Sequence, residues 1–450
     1  MRKIYFLLCG TLGISSSYAF DLAYAYQQAL TYNADYLKQI ASTSATQEQK
    51  NIARAQLLPQ ISGSASMNEN YFDQGGMSAF YHQPVYQAQL QQVIFDWSKY
   101  SGFTKGQYAA EVGDLQLKNA EQQLMVTVSQ AYFDVLYAED TLRATQMTKE
   151  ALEKQMNQAK KSFEVGTVTI ADVNDAQAAF DASTAQEIQN TNDLIYKKNI
   201  FRNLTGLDPE QIQPLTDNTN LVLPTPANVN TWAQMGESGN YSIKIADKQV
   251  SMANQDIKIA ISGHLPTLNV VANYQYQDTG GIDSSNMSES TVNSFANIPG
   301  TPLSSYGTGS AGVQLNIPIY SGGGVNAQVR QAKANYEVAR QQLVSTERQT
   351  DQNIRNTYWQ VQNGVSIVKA QQTALKSAKT KLDSDKLGYQ VGVRNSVDLV
   401  NSQKNYYQTF QTYQQSRYQY IMARIQLRYL SGSIDDKFIK QINTDIKTER

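Results

Sequence analysis

Cysteine and histidine are almost missing from this chain of 450 residues, which contains one Cys and two His. So few thiols and imidazoles exclude a multi-histidine or cysteine-rich metal centre, and they argue against a Cys-His or Ser-His nucleophile. Charge is also scarce, because Asp, Glu, Lys and Arg make up 17% of the residues, against about 25% in an average protein. The 38 basic and 39 acidic groups nearly cancel, so there is no basic excess of the kind that binds nucleic acid. The composition predicts a protein that is not an enzyme and that uses no metal and no cofactor.

Long apolar runs are missing as well, since nothing after the N-terminus approaches the ~18 apolar residues of a transmembrane helix. Residues 1–19 have a basic start, a short apolar run and a small-x-small end at Ala19, a pattern that predicts a secretory signal peptide. Cys9 lies inside this segment, and Leu8 before it is not the small residue that a lipoprotein signal needs. We therefore expect export without lipidation. A mature chain that enters a membrane would do so as a β-barrel.

The two halves of the chain repeat each other in the same order. Leu58-Pro59 recurs 207 residues later as Leu265-Pro266, and later pairs are 225 or 226 residues apart. The single change of offset indicates that one loop is longer in the second half. The predicted organisation is a signal peptide at 1–19, repeat one at 20–208, a proline-rich linker at 209–231, repeat two at 232–432 and a tail at 433–450.

Proline is confined to a few places, and the proline-free stretches predict the helices. Those stretches are rich in Ala, Gln, Lys, Glu and Leu, which favour helix. Gly166 and Gly392 mark a turn inside the two longest stretches. We expect six helices, two of them about 100 Å long, at about 25–57, 98–163, 170–204, 232–263, 324–388 and 396–430.

Apolar and polar residues alternate between these helices, as they do in β-strands. Each segment is about as long as a tilted membrane strand of ~9–11 residues, and a soluble antiparallel sheet of low charge is the alternative. Lys and Arg are absent from 55–98 and 259–329, where either would cost about 2–4 kcal/mol on a lipid face. His82 is expected in the first hairpin loop, away from His264, so the two imidazoles would not share a metal. The predicted strands are 60–71, 84–96, 267–278 and 308–320.

Four strands are too few to close a barrel, and lipid tolerates no open sheet edge. About eight strands are the minimum, so the chain would have to oligomerise. Two copies would supply eight strands and three copies would supply twelve. The helices would then project from the membrane as a long tube.

At this point the chain resembles the TolC family of outer-membrane channel-tunnel proteins over nearly its whole mature length. The resemblance rests on the Leu-Pro pairs, on Ile94-Phe-Asp96 and Ile319-Tyr320 at the strand ends, and on the two glycine turns. It implies a mixed α and β fold in which a long α-helical barrel continues a transmembrane β-barrel, twelve-stranded as a homotrimer. The duct would lie in Gram-negative outer-membrane lipid and extend into the periplasm, with the turns at Gly166 and Gly392 at the periplasmic tip.

The resemblance also implies passive export of drugs or secreted proteins. Cargo would arrive from an inner-membrane transporter of the ABC, RND or MFS type through a periplasmic adaptor (membrane fusion) protein. Because the pump selects the substrate in such systems, the resemblance covers drug efflux and protein secretion alike.

The two hairpin tips differ in a way that indicates a gate. Phe163 and Val168 of the first half correspond to Tyr389 and Arg394 of the second half, which thereby gains a hydroxyl and a fixed positive charge. Asp172 is an acceptor on the neighbouring turn, and an Arg–carboxylate bond can be bidentate and orientation-specific. The family pattern makes Asp172, Tyr389 and Arg394 the latches of an iris-like gate. An ordinary exposed ion pair, worth about 0–1 kcal/mol, is the alternative.

The family pattern further implies a ring of acidic residues at the tunnel entrance. Asp398 matches the first ring position, whereas Asn401, one helical turn later, is neutral at the second. Three chains would then place three charges in the ring instead of six, so we expect a cation preference weaker than the family pattern implies. Asp175 holds the corresponding place in the first half, and whether it faces the lumen is left open.

Three other classes of protein are less consistent with the pattern. A periplasmic or surface coiled-coil protein without a pore would show sustained apolar heptads with charged flanking positions, whereas these helices are glutamine-rich and interrupted by strands. A pump adaptor also uses helical hairpins but does not repeat the strand, long helix and short helix unit twice. An enzyme would need a convergent nucleophile, base or metal cluster, and none is visible.

Overall fold

The computed structural model describes residues 20–74, 77–215, 220–278, 280–283, 288–290, 293 and 305–447. The predicted signal peptide, 1–19, lies outside the described residues. The helices and strands within those ranges, in chain order, are α1 (Leu22–Tyr32), α2 (Ala34–Ala55), β1 (Gln60–Gln74), β2 (Met77–Phe95), α3 (Trp97–Glu164), α4 (Ile170–Thr205), α5 (Val229–Gly239), α6 (Tyr241–Ser262), β3 (Thr267–Gln277), β4 (Gly280–Asp283), β5 (Tyr306–Asn316), α7 (Gly324–Gln390), α8 (Ser396–Leu430) and α9 (Asp436–Lys447).

The long helices α3, α4, α7 and α8 begin and end within two residues of their predicted bounds. Each of these helices ends one or two residues before a glycine. These glycines are Gly166, Gly206, Gly392 and Gly432, and all have φ between 67° and 78°. This left-handed conformation is costly for a residue with a Cβ and routinely ends a helix. None of the described helices is both long enough and apolar enough to cross a membrane.

The helix predicted before each strand hairpin is wrong in one respect, since two helices replace one in both halves. The break lies at Asn33, between α1 and α2, and again at Asn240, between α5 and α6. Both asparagines are buried and have ψ near 120°, outside the helical region. Their side-chain oxygens accept N–H groups of the following helix, at 3.0 Å from Tyr36 and 2.9 Å from Ser242. Asparagine is a strong N-cap residue, so each break is a cap that restarts the helix.

The strands form one antiparallel sheet in the order β1-β2-β3-β5, with the short β4 paired to β2. Strand β2 begins earlier than predicted, and its residues 77–91 pair with the whole of β1. His82 therefore lies in β2 opposite Glu69, and not in a loop. Strand β5 ends at Asn316 instead of 320, because Pro318 has no N–H with which to continue the ladder.

The chain divides into two compact units. One unit comprises Met1–Ala41, Leu117–Lys244 and Thr346–Arg450, and it contains both hairpin tips and the largest hydrophobic core. Helix α9 packs Ile439 and Ile442 into that core. The guanidinium of Arg424 and the carboxylate of Asp445 then form a 2.7 Å ion pair between α8 and α9, with both side chains about nine-tenths buried.

The other unit comprises Ser42–Gln116 and Ile245–Ser345 and contains the sheet. Helices α2 and α3 approach closely where α3 has glycines. A Cβ added at Gly106 would lie 3.0 Å from the Cβ of Ala53, and one at Gly113 would lie 3.1 Å from that of Thr46. Two ion pairs join α3 to α6. Lys105 of α3 forms one of them, at 2.6 Å, and Glu111 of α3 forms the other, at 2.7 Å.

Candidate functional site

The two hairpin tips share one backbone design. In the first tip, which joins α3 to α4, the N–H groups of Gly166 and Thr167 donate to the carbonyls of Phe163 and Ser162, each at 2.9 Å. In the second tip, which joins α7 to α8, the N–H groups of Gly392 and Val393 donate to the carbonyls of Tyr389 and Gly388, at 3.2 and 2.8 Å. The tips therefore differ in their side chains and not in the path of the main chain.

The carboxylate of Asp172 is engaged within its own tip. Thr169 caps α4, and the two residues form a capping box. One oxygen of Asp172 accepts the backbone N–H of Thr169 at 2.8 Å and its hydroxyl at 2.7 Å. These hydrogen bonds from Thr169 hold the pKa of Asp172 below its usual range. Within the described chain, Asp172 thus bonds Thr169, and Arg394 is not among its partners.

Asp398 occupies the equivalent place in the second tip, but its carboxylate pairs with Arg394. The cap of α8 is Asn395, whose side-chain oxygen accepts the N–H of Asp398 at 2.7 Å. Asparagine has no hydroxyl to donate to the carboxylate, so the Asp398 oxygen lies instead 3.7 Å from Nη1 of Arg394. The sequence did not predict this pair, because Asp398 was assigned to the entrance ring and Arg394 to the gate latch.

Arg394 has a second carboxylate partner, Asp385, which the sequence analysis did not single out. Nε of Arg394 lies 3.4 Å from an oxygen of Asp385. The Asp385 side chain is only 7% exposed. Its other oxygen accepts the ammonium of Lys381 at 2.6 Å and the hydroxyl of Ser402, and the same ammonium lies 2.5 Å from that hydroxyl. Hydrogen bonds from Lys381 and Ser402 hold the pKa of the Asp385 carboxyl below its usual range.

The first hairpin has an apolar cluster at the same level. Gln155, Ala159 and Ala176 occupy the positions, 226 residues earlier, that correspond to Lys381, Asp385 and Ser402. Ala159 and Ala176 pack there with Met156, Val173 and Phe180. A polar cluster in repeat two thus replaces a hydrophobic contact in repeat one, and only the alignment of the two halves could have signalled it.

The remaining predicted residues also lie at or near the tips. Tyr389 is half-buried at the end of α7, and no hydrogen-bond partner of its hydroxyl lies among the described residues. Asn401 and Asp175 are exposed on α8 and α4. Gly166 and Gly392 have φ of 73° and 78°, with open space where a Cβ would lie.

The described part of the chain contains no group of three or more His, Cys, Asp or Glu side chains that could hold a metal ion.

The outer strands of the sheet are uncovered on both faces. Strands β1 and β5 are exposed along nearly their whole length. Apolar side chains at alternate positions project from one face of each, including Ile61, Met67, Val313 and Leu315, which are 58–76% exposed. A sheet normally buries its apolar face against a second layer, and no described element supplies one here. An uncovered apolar face of this kind marks contact with lipid or with another protein.

The family whose sequence model is described as "Outer membrane efflux protein" matches residues 25–207 and 232–433 of the chain. Outer membrane protein TolC of Escherichia coli (strain K12) is 33% identical over 451 residues, which cover 98% of this chain and 89% of that protein. Alkaline protease secretion protein AprF of Pseudomonas aeruginosa is 26% identical over 449 residues, 97% of this chain and 90% of its own length. The crystal structure of the Campylobacter jejuni CmeC outer membrane channel superposes with a TM-score of 0.77 at 16% identity, over 95% of this chain and 90% of that one.

Proposed function

The chain belongs to the outer membrane efflux protein family, and from this membership we propose that it works as a homotrimeric export duct with a gate at its hairpin tips. It is a TolC-type channel of the outer membrane, of the kind that serves efflux or protein secretion. Its family is one of transport channels and not of enzymes. We infer that this chain likewise carries no catalytic site.

The main support for a trimer is that the sheet has two free edges. Strands β1 and β5 each pair on one side only within the described chain, and a free strand edge is not tolerated in lipid. Pairing β1 of one copy with β5 of the next removes every edge when the ring closes. The four long strands of each chain make twelve strands in three copies, whereas two copies would give the minimum of about eight. The family resemblance supports three.

Disulfide capture tests the edge pairing directly, because the predicted mature chain has no cysteine. Cysteine replaces Ser64 on β1 together with one β5 residue in turn, at Thr308, Ser310 or Gly312. Oxidation of the best-registered pair should give a ladder of linked chains that ends at three. Each single-cysteine variant is the matched control and should give no ladder. A ladder that ends at two, or none for any register, would reject the trimer.

The gate is proposed to consist of Asp172, Tyr389 and Arg394, with Gly166 and Gly392 turning the chain at the periplasmic tips. In support, the two tips have the same backbone, so side chains alone can make one tip bind the other. Arg394 is half-exposed, and its two ion pairs use Nε and Nη1, which leaves Nη2 for an acceptor on a neighbouring hairpin. The half-buried Tyr389 hydroxyl lacks a partner among the described residues and can serve in the same way.

Asp398 is proposed to supply the entrance ring, with the neutral Asn401 at its second position. The Arg394 guanidinium 3.7 Å away offsets part of the ring's negative charge. The cation preference of the resting duct should therefore be weaker than three bare carboxylates would give.

The working assembly is proposed to include a periplasmic adaptor and an inner-membrane transporter of the ABC, RND or MFS type. Expression in a Gram-negative host that lacks its own duct distinguishes the two uses. Restored resistance to drugs and dyes would indicate efflux, and restored secretion of a protease substrate would indicate protein export. If neither returns with protein present in the outer membrane, the chain does not couple to that host's pumps.

A further inference from the structure

We propose that Asp385 is a positioning residue for Arg394, and that Lys381, Ser402 and Gly388 complete an anchor which holds the latch arginine on its own hairpin. This inference rests on the proposed gate. It adds four residues to it, none of which belongs to the latch or to the entrance ring.

The anchor has a buried centre, formed by Asp385 and Ser402, and joins both helices of the second hairpin. Asp385 and Lys381 lie on α7, one turn apart, and Ser402 lies on α8. A carboxylate that is 7% exposed has lost most of its water, and it is stable there only if charged or hydrogen-bonding partners replace that water. Asp385 has three such partners, Lys381, Ser402 and Arg394. The carboxylate is therefore fixed in place and able to orient the arginine.

Gly388 lets the Arg394 side chain cross the end of α7 to reach Asp385. A Cβ added at Gly388 would lie 2.7 Å from Cγ of Arg394 and 3.4 Å from its Cβ. The first distance is shorter than real Cβ contacts, so any side chain at 388 would displace the arginine stem. The N–H of Arg394 also donates to the Gly388 carbonyl at 3.1 Å, which fixes the start of that side chain.

The two carboxylates orient the arginine without using up its donors. Asp385 faces Nε at 3.4 Å and Asp398 faces Nη1 at 3.7 Å, both longer than a strong charge-assisted hydrogen bond. A guanidinium has five N–H donors in a fixed planar fork. Contacts from two carboxylates to different nitrogens set the orientation of the guanidinium plane and of Nη2, so a neighbouring acceptor is met by a pre-oriented cation.

The first hairpin shows that the cluster is not needed merely to pack α7 against α8. At the same level it has Ala159 and Ala176, and Val168 replaces the arginine. Its two helices pack through apolar contacts at that point. The charged cluster lies in the hairpin that contains Arg394, as expected if it positions that arginine.

The test measures single-channel conductance of the assembled protein in planar bilayers, for Asp385→Asn, Ser402→Ala and Gly388→Ala. Each should raise the conductance toward that of Arg394→Ala. Gly388→Ala is informative because alanine favours helix more than glycine does, so a larger conductance would come from the displaced arginine and not from a weaker helix. Glu187→Gln, which breaks the 2.7 Å interhelical pair with Lys149 in the first hairpin, is the matched control and should leave the conductance unchanged.

The double variant Asp385→Asn/Arg394→Ala separates positioning from general loosening. If Asp385 acts through Arg394, the double variant conducts like Arg394→Ala alone. Conductance that rises by the sum of the two single effects would overturn the proposal, and so would an Asp385→Asn channel that conducts like wild type while Arg394→Ala is enlarged.

A second readout does not depend on gating. The rate at which phenylglyoxal modifies Arg394, followed by peptide mass spectrometry, should rise several-fold in Asp385→Asn and Gly388→Ala and stay the same in Glu187→Gln. If Arg394→Ala leaves conductance unchanged but these rates rise, the anchor stands and the gate fails. Unchanged rates in both anchor variants reject the anchor whatever the conductance shows.

Discussion

Asp172 and Asp398 occupy equivalent positions in the two hairpins, yet only the carboxylate of Asp172 is engaged by the residue that caps its helix. Thr169 donates both its N–H and its hydroxyl to Asp172. Asn395 accepts the N–H of Asp398 but leaves that carboxylate to Arg394. One substitution at the cap position thus separates a residue that stabilises a helix end from one that faces the Arg394 guanidinium.

The capping box predicts a local loss of stability in Thr169→Ala. The variant removes an N-cap worth about 1 kcal/mol, so hydrogen exchange of the amides at 170–173 should accelerate about five-fold. Thr169→Asn keeps a cap without the reciprocal hydroxyl and should show a smaller increase. Thr191→Ala, which removes a mid-helix hydroxyl bonded to the Glu187 carbonyl, should leave those amides unchanged. Equal exchange in Thr169→Ala and wild type would contradict the box.

The pairing of Asp398 with Arg394 predicts a change in ion selectivity. Removing the guanidinium in Arg394→Ala exposes the ring carboxylates, so the reversal potential in a KCl gradient should shift toward cation preference. Asn401→Asp should shift it in the same direction by adding a second ring of charge, and Asp398→Asn should shift it toward anions. Selectivity that is the same in all three variants would show that this ring does not line the conducting path.

The lowered pKa of Asp385 predicts the acid response of the gate. Because this pKa is lower in the folded chain than in the unfolded one, pairing of the ionised carboxylate stabilises the hairpin fully above the unfolded value of about 3.9. That stabilisation is lost as the pH falls through the folded value. The charged groups around Asp385 are Lys381 and Arg394, while Asp398 faces Arg394 from the other side.

We therefore expect the anchor to keep the resting conductance constant from about pH 8 to pH 5, with a rise below about pH 4. The side chain at 385 cannot ionise in Asp385→Asn. The conductance of this variant should therefore rise less than that of the wild type as the pH falls. Asp398 is present in both proteins, so the difference between them isolates Asp385. An Asp385→Asn channel with the same acid response as wild type would contradict the assignment.

The buried ion pair between α8 and α9 predicts a larger effect on stability than any exposed pair. Asp445→Asn leaves the Arg424 guanidinium buried without its counter-charge, which should cost about 3–5 kcal/mol. Lys38→Met breaks an exposed pair with Asp35 and should cost about 0–1 kcal/mol. Thermal melting and the rate of proteolytic release of the C-terminal segment measure both. The double variant Arg424→Met/Asp445→Leu should recover most of the stability lost in Asp445→Asn. A double variant that is as unstable as Asp445→Asn would contradict the account.

Much of the fold could be predicted because glycine and proline act locally. Glycines with positive φ end the long helices, so those boundaries follow from single residues. The end of β5 was predicted at 320 and lies at Asn316, although Pro318 marks it in the sequence. The breaks at Asn33 and Asn240 were missed, since an asparagine in a helical pattern is only weakly unfavourable. The repeat alignment contained the clue, because the two asparagines are 207 residues apart, the same offset as the Leu-Pro pairs.

The candidate site was predicted less completely than the fold. Comparison of the halves identified Arg394, because a charge replaces Val168. It did not identify Asp385, because Lys381 and Asp385 are four residues apart on one helix and such spacing is typical of an exposed pair. Burial decides its role, and burial depends on how α8 packs against α7, which no local pattern specifies.

The most direct test of the central claim is the single-channel conductance of the detergent-extracted protein and its Arg394→Ala variant in planar bilayers. A gated duct should give small, uniform steps for the wild type and clearly larger steps for the variant. Steps of the same size would keep the duct and reject Arg394 as a latch. Protein that inserts into the membrane and conducts no current would contradict the duct itself.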